Sequence, residues 1–166
     1  MKYSAPIRIL IVLLLVPFVA ACQNTSDTPE TPATPTSQET APTALPRTPS
    51  PEGAAVYIIS PRDAASGISA GEVTVVFGLK GMGVAPAGID FPDTGHHHLL
   101  VNAEQTPSLE LPLPADDNHI HFGKGQTETT LDLEPGTYTL QLVLGDHLHI
   151  PHDPPVMSET VTITVE

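Results

Sequence analysis

Hydrophobic and polar residues alternate through the C-terminal part of the chain, in short runs separated by Pro, Gly and Asp. A period of two predicts β-strands, whereas an amphipathic helix requires a period near 3.6. Seven runs follow the strand pattern, and no window has a convincing helical period. They are AAVYIIS, GEVTVVFGLKG, HHLLVNAE, HIHFGKG, ETTLDL, GTYTLQLVLGDH and SETVTITVE. The runs predict an all-β domain over residues 53–166, a single immunoglobulin-like β-sandwich of about seven strands.

The longest run shows which side of a strand should face the core. Tyr138, Leu140, Leu142 and Leu144 share one parity, and mostly polar residues occupy the other, so we predict that the first set is buried. Tyr138 follows a Pro-Gly turn, as does the tyrosine corner of immunoglobulin-like sandwiches. A tyrosine that merely fills the core is an equal alternative, and both interpretations give the same fold.

The N-terminus has the pattern of a bacterial export signal. Lys2 and Arg8 precede an apolar run of 13 residues, ILIVLLLVPFVAA, which is too short to span a membrane as a helix. The run ends in VAAC, which resembles the lipobox of lipoproteins, and Cys22 is the only cysteine in the chain. We therefore predict a signal peptide over residues 1–21, lipidation of Cys22, and a lipid-anchored protein of the bacterial cell envelope. The residue after Cys22 is Gln23 rather than Asp, which by resemblance to the sorting of known lipoproteins favours the outer membrane, or the outer face of the plasma membrane where only one membrane exists.

Residues 22–52 contain seven Pro, eight Thr and three Ser, with almost no large apolar side chain. Such a segment cannot bury enough apolar surface to fold, so we predict a disordered tether. The mature protein would then consist of a lipid anchor, a tether and a domain.

The charge balance limits the class of ligand. The chain has 6 basic and 19 acidic residues. This excess of negative charge repels nucleic acids and anionic lipid headgroups, and it favours cations. We expect no nucleic-acid partner.

Histidine is the most informative residue type in the domain. Of the eight histidines, six form His-X-His pairs. The pairs are His96 with His98, His119 with His121, and His147 with His149. On a strand, residues i and i+2 lie on the same face, so two adjacent strands can direct four imidazoles at one metal ion, with metal–nitrogen distances of about 2.0–2.1 Å. His152 is a further candidate ligand, whereas His97 has the parity of the core.

The apolar residues beside each pair take the opposite parity, which places all three pairs on the polar faces of their strands. For example, we expect the strand of Leu144 to continue through His147 and His149, with both imidazoles opposite the leucine face. A bulge of one residue would reverse this orientation.

Aspartates flank the pairs, and the candidates to orient the histidines or to bind the ion directly are Asp116, Asp117, Asp146 and Asp153. A metal-bound histidine usually donates its second N–H to a carboxylate or a carbonyl. The alternative is that these residues begin turns, as aspartate often does. We favour the turn for each one singly, but expect at least one to serve the histidines.

The donor set of imidazole and carboxylate suits a transition metal, copper or zinc. We therefore expect the domain to bind such an ion for metal handling in the cell envelope. The alternative is a non-catalytic interaction or structural module, whose histidines form a hydrogen-bonded or pH-sensing network and whose partner is an envelope protein or a glycan. No nucleophile motif indicates an enzyme, although histidines also hold catalytic metals.

Four stretches resemble the bacterial domain of unknown function 4399, which occurs in exported proteins and lipoproteins. They are FGLKGMGVAPAG, HHHLLVN, DDNHIHFGKGQTETTLDLEPG and YTLQLVLGDHLHIPHDPPVMSETVTITV. The resemblance covers Val56 to Val165. It implies that the His, Gly and Pro positions form a recurring signature, and it brings no activity or ligand with it.

Overall fold

The computed structural model describes residues 45–166, so the predicted signal peptide, Cys22 and most of the tether lie outside the described residues. This part of the chain contains nine strands and no helix. The strands are β1 (Ala55–Ser60), β2 (Ala65–Ile68), β3 (Gly71–Lys80), β4 (Gly83–Val84), β5 (Thr94–Val101), β6 (His119–His121), β7 (Glu128–Leu133), β8 (Gly136–Gly145) and β9 (Val161–Val165). Residues 45–166 accordingly include no helix that is long and apolar enough to cross a membrane.

The strands form two sheets in a sandwich-like arrangement. One sheet has the order β1-β3-β7 and the other the order β2-β9-β8-β5-β4, with β6 also paired to β5. The all-β prediction is confirmed, and each of the seven predicted runs contains a strand. The two further strands, β2 and β4, are short and contain glycine, so their sequences ASGI and GV show no alternation.

The main core lies between the two sheets. Val75 and Phe77 of the smaller sheet and Leu99 of the larger one belong to it. Of the β8 residues predicted to face the core, Leu140, Leu142 and Leu144 are 0% exposed, and Tyr138 is half-buried and packs against the core. The parity prediction is confirmed. The Tyr138 hydroxyl donates to the carbonyl oxygen of Glu134 at 3.0 Å, the hydrogen bond that defines a tyrosine corner.

The other face of the larger sheet is also covered, by three segments that are not strands. Residues 85–91, 103–117 and 146–152 pack on this face or are hydrogen-bonded to it or to one another, and we call them the cover. Backbone hydrogen bonds join its parts: Leu113 N donates to His149 O at 2.9 Å, and Gly88 N donates to His147 O at 3.0 Å. Leu100, Leu113 and Val143 form a small second core beneath the cover. The candidate site lies in this layer, outside the main core.

Candidate metal centre

Four imidazoles converge beneath the cover. They belong to His96, His98, His121 and His149, and one nitrogen from each ring lies within 4.8 Å of the others. Between ring centroids the distances run from 4.7 to 5.9 Å. Every predicted His-X-His pair contributes at least one member. Three separate segments of the chain therefore meet at one point.

Strand β5 supplies two of the four rings. His96 and His98 lie on the outer face of the strand, while His97 faces the core with its ring 5.2 Å from that of Phe77. This is the predicted division of faces, but the outer face is not open to solvent. His96 is 0% and His98 1% exposed, because the cover lies over the sheet. A buried imidazole is shielded from competing water, which strengthens its interaction with a bound cation.

Strand β6 carries two histidines, of which His121 joins the cluster and His119 does not. His121 is paired with His98 across the antiparallel ladder, so both side chains lie on the outer face. His119 is paired with Leu100, two residues further along β5. Its Nδ1 donates to Asp116 Oδ1 at 2.8 Å, and the ring takes no part in the cluster. The bond to Asp116 holds the ring of His119 outside the group of four nitrogens.

His149 reaches the cluster from a turn and not from a strand. The prediction that the strand continues through His147 and His149 is wrong, because β8 ends at Gly145. His149 N donates to Asp146 O at 2.9 Å, and His149 has a φ of 68° in the left-handed region. The turn directs His149 inward, while Nδ1 of His147 lies 3.8 Å from Asp90 Oδ1, outside the cluster.

Asp146 shapes that turn through the backbone. It is 2% exposed, and its Oδ1 accepts hydrogen bonds from Leu148 N at 2.8 Å and Ile150 N at 3.0 Å. These two amides belong to the residues on either side of His149. Asp146 thus forms a turn, which was the alternative prediction for the aspartates. By forming this turn it fixes the position of the candidate ligand His149.

The other predicted partners lie apart from the four rings. Asp117 is exposed, and Asp153 pairs with Arg47, with 3.2 Å between the charged atoms. His152 is fully buried, with its ring nitrogens 3.3 Å from Leu144 O and 3.2 Å from Thr94 O. The ring of His152 therefore lies between the backbone carbonyls of two neighbouring strands, β5 and β8. Its role is to join neighbouring backbone segments.

The nitrogen positions suit a coordination sphere. Nε2 of His96 lies 3.0 Å from Nδ1 of His149 and 3.1 Å from Nε2 of His98. Four nitrogens at about 2.0–2.1 Å from a tetrahedral zinc ion would be about 3.3–3.4 Å apart. These two spacings are close to that value, and the remaining distances among the four nitrogens are at most 4.8 Å, so the rings would have to move by a fraction of an ångström to about 1.5 Å to surround an ion.

Burial favours the uncharged, metal-binding form of three rings in the cluster, those of His96, His98 and His121. Burial first, and then the neighbouring His149 and His121, lower the pKa of His96 to about 4. Burial and the neighbouring His96 lower the pKa of His98 to about 2. The pKa of His121 is also lowered, chiefly by burial and secondly by His149. At neutral pH these rings are uncharged, and a metal ion would not have to displace protons from them.

Two of the converging rings present a second nitrogen that has no protein partner. Nδ1 of His96 and Nδ1 of His98 are buried without a hydrogen bond to any residue in 45–166. A buried polar atom without a partner costs free energy, and coordination through Nε2 would leave the ring proton on Nδ1 with no described residue to accept it. His96 and His98 therefore lack the carboxylate or carbonyl that usually receives the second N–H of a metal-bound histidine.

Two glycines leave the space that the rings occupy. A Cβ atom on Gly123 would lie 2.4 Å from Cε1 of His121, and one on Gly145 would lie 3.1 Å from Nε2 of His98. The sequence offered a signal for both, because Gly123 follows the HIHF stretch and Gly145 precedes DHLH. The sequence analysis did not assign either of them to the site.

We expect Gly123→Ala to weaken metal binding by about tenfold or more, because the new methyl group displaces the His121 ring from the cluster. Titration of the chain with zinc against a competing chelator measures this change. Gly136→Ala is the matched control, since its Cβ would lie 3.6 Å from Tyr138 at ordinary contact distance and far from the four rings. Equal zinc affinity in the two variants would contradict the expectation.

A known sequence family matches the part of the chain that contains the histidine cluster, the cover and the strands from β3 onward. The sequence model of a family described as Domain of unknown function (DUF4399) matches residues 75–166. The chain belongs to the DUF4399 family. The matched region contains all four clustered histidines and Asp146, and it begins within β3. The resemblance predicted from the sequence is thereby confirmed from residue 75 onward, and the four-histidine cluster lies wholly inside the DUF4399 region.

A search of curated proteins and a search of solved structures each gave no match to the chain.

Proposed function

We propose that this domain binds a single transition metal ion, Zn(II) or Cu(II), through four imidazoles. The ligands are His96, His98, His121 and His149. The observation that carries the proposal is their convergence, with one nitrogen of each ring within 4.8 Å of the others.

The donor atoms narrow the choice of ion. Neutral imidazole suits Zn(II), Cu(II), Ni(II) and Fe, whereas Mg(II) and Ca(II) prefer oxygen ligands. Cu(I) favours thiolate and thioether sulfur, and the four-residue cluster contains neither. The negative charge of the chain, 6 basic against 19 acidic residues, also attracts a divalent cation.

Four protein ligands favour binding over catalysis. A catalytic zinc is usually held by three protein ligands and keeps an open position for water or substrate. Here four nitrogens would fill a tetrahedral sphere, with His96 and His98 fully buried. We propose metal handling as the role of the domain. We also propose that the sandwich is immunoglobulin-like, and the tyrosine corner at Tyr138 is the observation that supports this. The lipobox-like stretch ending at Cys22 supports a location in the bacterial envelope, anchored to a membrane by lipid.

A second candidate function follows from the short contacts between the ring nitrogens. Nε2 of His96 is within hydrogen-bonding distance of both His98 and His149. Such bonds can hold the cover to the sheet without any ion, and the domain would then be an interaction module for an envelope protein or a glycan.

Direct metal binding separates the two functions. The full-length chain, purified without a polyhistidine tag, is titrated with zinc and with Cu(II) by calorimetry, and its metal content is measured after dialysis. We expect one ion per chain. The His98→Ala/His121→Ala variant should lose binding, because it removes two of the four donors. The control variant His119→Ala/His147→Ala removes two histidines outside the cluster and should bind as the wild type does. Failure of the wild type to bind either ion would leave the interaction module as the function.

A further inference from the structure

We propose that Thr48 is a positioning residue for the metal ligand His149, acting from a segment that precedes the sandwich. This inference rests on the proposed function. The segment Arg47–Ser50 belongs to the stretch predicted as tether, but its residues make specific contacts with the domain, and we call it the strap.

The strap is bonded along its length to the chain that follows the His149 turn. Asp153 N donates to Thr48 O at 3.0 Å, and Ser50 N donates to Asp153 O at 3.1 Å, so Pro49 and Asp153 form a parallel bridge. Arg47 Nε donates to Pro151 O at 3.0 Å, and its guanidinium also contacts the carbonyl of His152 and the carboxylate of Asp153. Several independent bonds therefore fix the position of Thr48.

The side chain of Thr48 reaches the residue that shapes the turn. Its hydroxyl donates to Asp146 Oδ2 at 2.8 Å, while Oδ1 of the same carboxylate accepts the two amides beside His149. One carboxylate oxygen of Asp146 thus accepts a hydrogen bond from the strap, and the other accepts hydrogen bonds from the turn. Because the carboxylate is planar, the bond at Oδ2 sets the rotation of the group and with it the direction of Oδ1. Asp146 is buried, so loss of the hydroxyl would leave Oδ2 without this partner.

The turn needs that support because His149 has a left-handed backbone conformation. This conformation is unfavourable for a residue with a side chain, and it persists only where surrounding bonds over-determine it. A metal ligand must also be held within about 0.5 Å of its productive position. A change in the Thr48 hydroxyl is therefore transmitted through Asp146 to the imidazole of His149.

Hydrogen bonds link Thr48 to Asp146, and Asp146 to the turn that carries His149. Within residues 45–166, no hydrogen bond joins the strap to the other three ligands. The strap should accordingly affect one ligand of four. We expect a change in the geometry and affinity of the bound ion, and not its complete loss.

The test compares Thr48→Val with Thr48→Ser in the full-length chain. Valine has nearly the shape of threonine but lacks the hydroxyl, and serine keeps the hydroxyl. We expect Thr48→Val to lower zinc affinity about 10- to 100-fold and to change the electron paramagnetic resonance spectrum of bound Cu(II), with Thr48→Ser restoring both. Thr48→Ala, which also removes the hydroxyl, is measured alongside, and urea unfolding checks that each variant is folded.

Two controls show whether the effect passes through His149. Ser50→Ala removes a different strap bond, from Ser50 Oγ to Pro154 O at 2.8 Å, and should leave the affinity and the spectrum unchanged. In a His149→Ala background, Thr48→Val should have no further effect, because the ligand it positions is absent. A wild type that binds no metal would overturn the proposed function and this inference with it. Wild-type binding with no change in either hydroxyl-free variant, or an undiminished effect in the His149→Ala background, would overturn the inference alone.

Discussion

Zinc at a free concentration one hundred times its dissociation constant should raise the free energy of unfolding of the domain by about 2.7 kcal/mol. The reason is linkage: the four rings meet only in the folded chain, because they come from β5, β6 and the turn after β8. An ion that binds the folded state alone stabilises it by mass action. Urea unfolding with and without zinc, followed by circular dichroism, measures the change.

The two double histidine variants show whether the zinc-dependent gain in stability comes from the four-histidine site. His98→Ala/His121→Ala should unfold at the same urea concentration with and without zinc, whereas His119→Ala/His147→Ala should keep the full zinc-dependent gain. A gain of the same size in both variants would mean that zinc binds elsewhere, and would contradict the four-histidine site.

The metal-free domain should lose stability as the pH falls below about 6.5. The pKa values of His96 and His98 are lowered in the folded state, mainly by burial. Below the unfolded pKa of 6.5 the unfolded chain therefore binds protons that the folded chain does not. The stabilisation is complete above that pH and is lost progressively as the pH falls toward the folded pKa, about 4 for His96. Each group contributes at most about 1.4 kcal/mol per pH unit.

Urea unfolding in the presence of a chelator, between about pH 7.5 and 5, tests the acid loss, because most carboxylates stay ionised in that range. We expect a loss of about 2 kcal/mol over the range, reduced from the upper limit because the two rings interact. His96→Ala/His98→Ala should make the acid loss smaller without abolishing it, because burial also lowers the pKa values of His97 and His121. His119→Ala/His147→Ala should leave the acid loss in place. An equal slope in the wild type and in His96→Ala/His98→Ala would show that other groups cause it.

The sequence predicted most of the fold because strand alternation is a local property. The parity of Leu140, Leu142 and Leu144 identified the core face of β8 correctly, and the alternation of Leu99 with His98 identified the outer face of β5. The short strands β2 and β4 were missed because glycine and two-residue length leave no pattern to read.

The candidate site was predictable only in part, because its completion depends on long-range pairing. His-X-His spacing places two side chains on one face, and in β5 both rings do converge. In β6 the pairing register places only His121 beside His98. At the end of β8 the turn at Asp146 replaces the expected strand, and a left-handed residue there cannot be read from alternation. The cover and the strap come from segments distant in sequence, and no local pattern connects them to the histidines.

The position of the four imidazoles on the outer face of the larger sheet has a genetic consequence. The leucine and valine side chains that hold the two sheets together lie on the opposite face, so ligand substitutions leave that interior intact. A cell that makes a ligand-free variant would keep the folded protein at its normal location while losing only the ion. Such an allele distinguishes what the metal does in the organism from what the presence of the protein does.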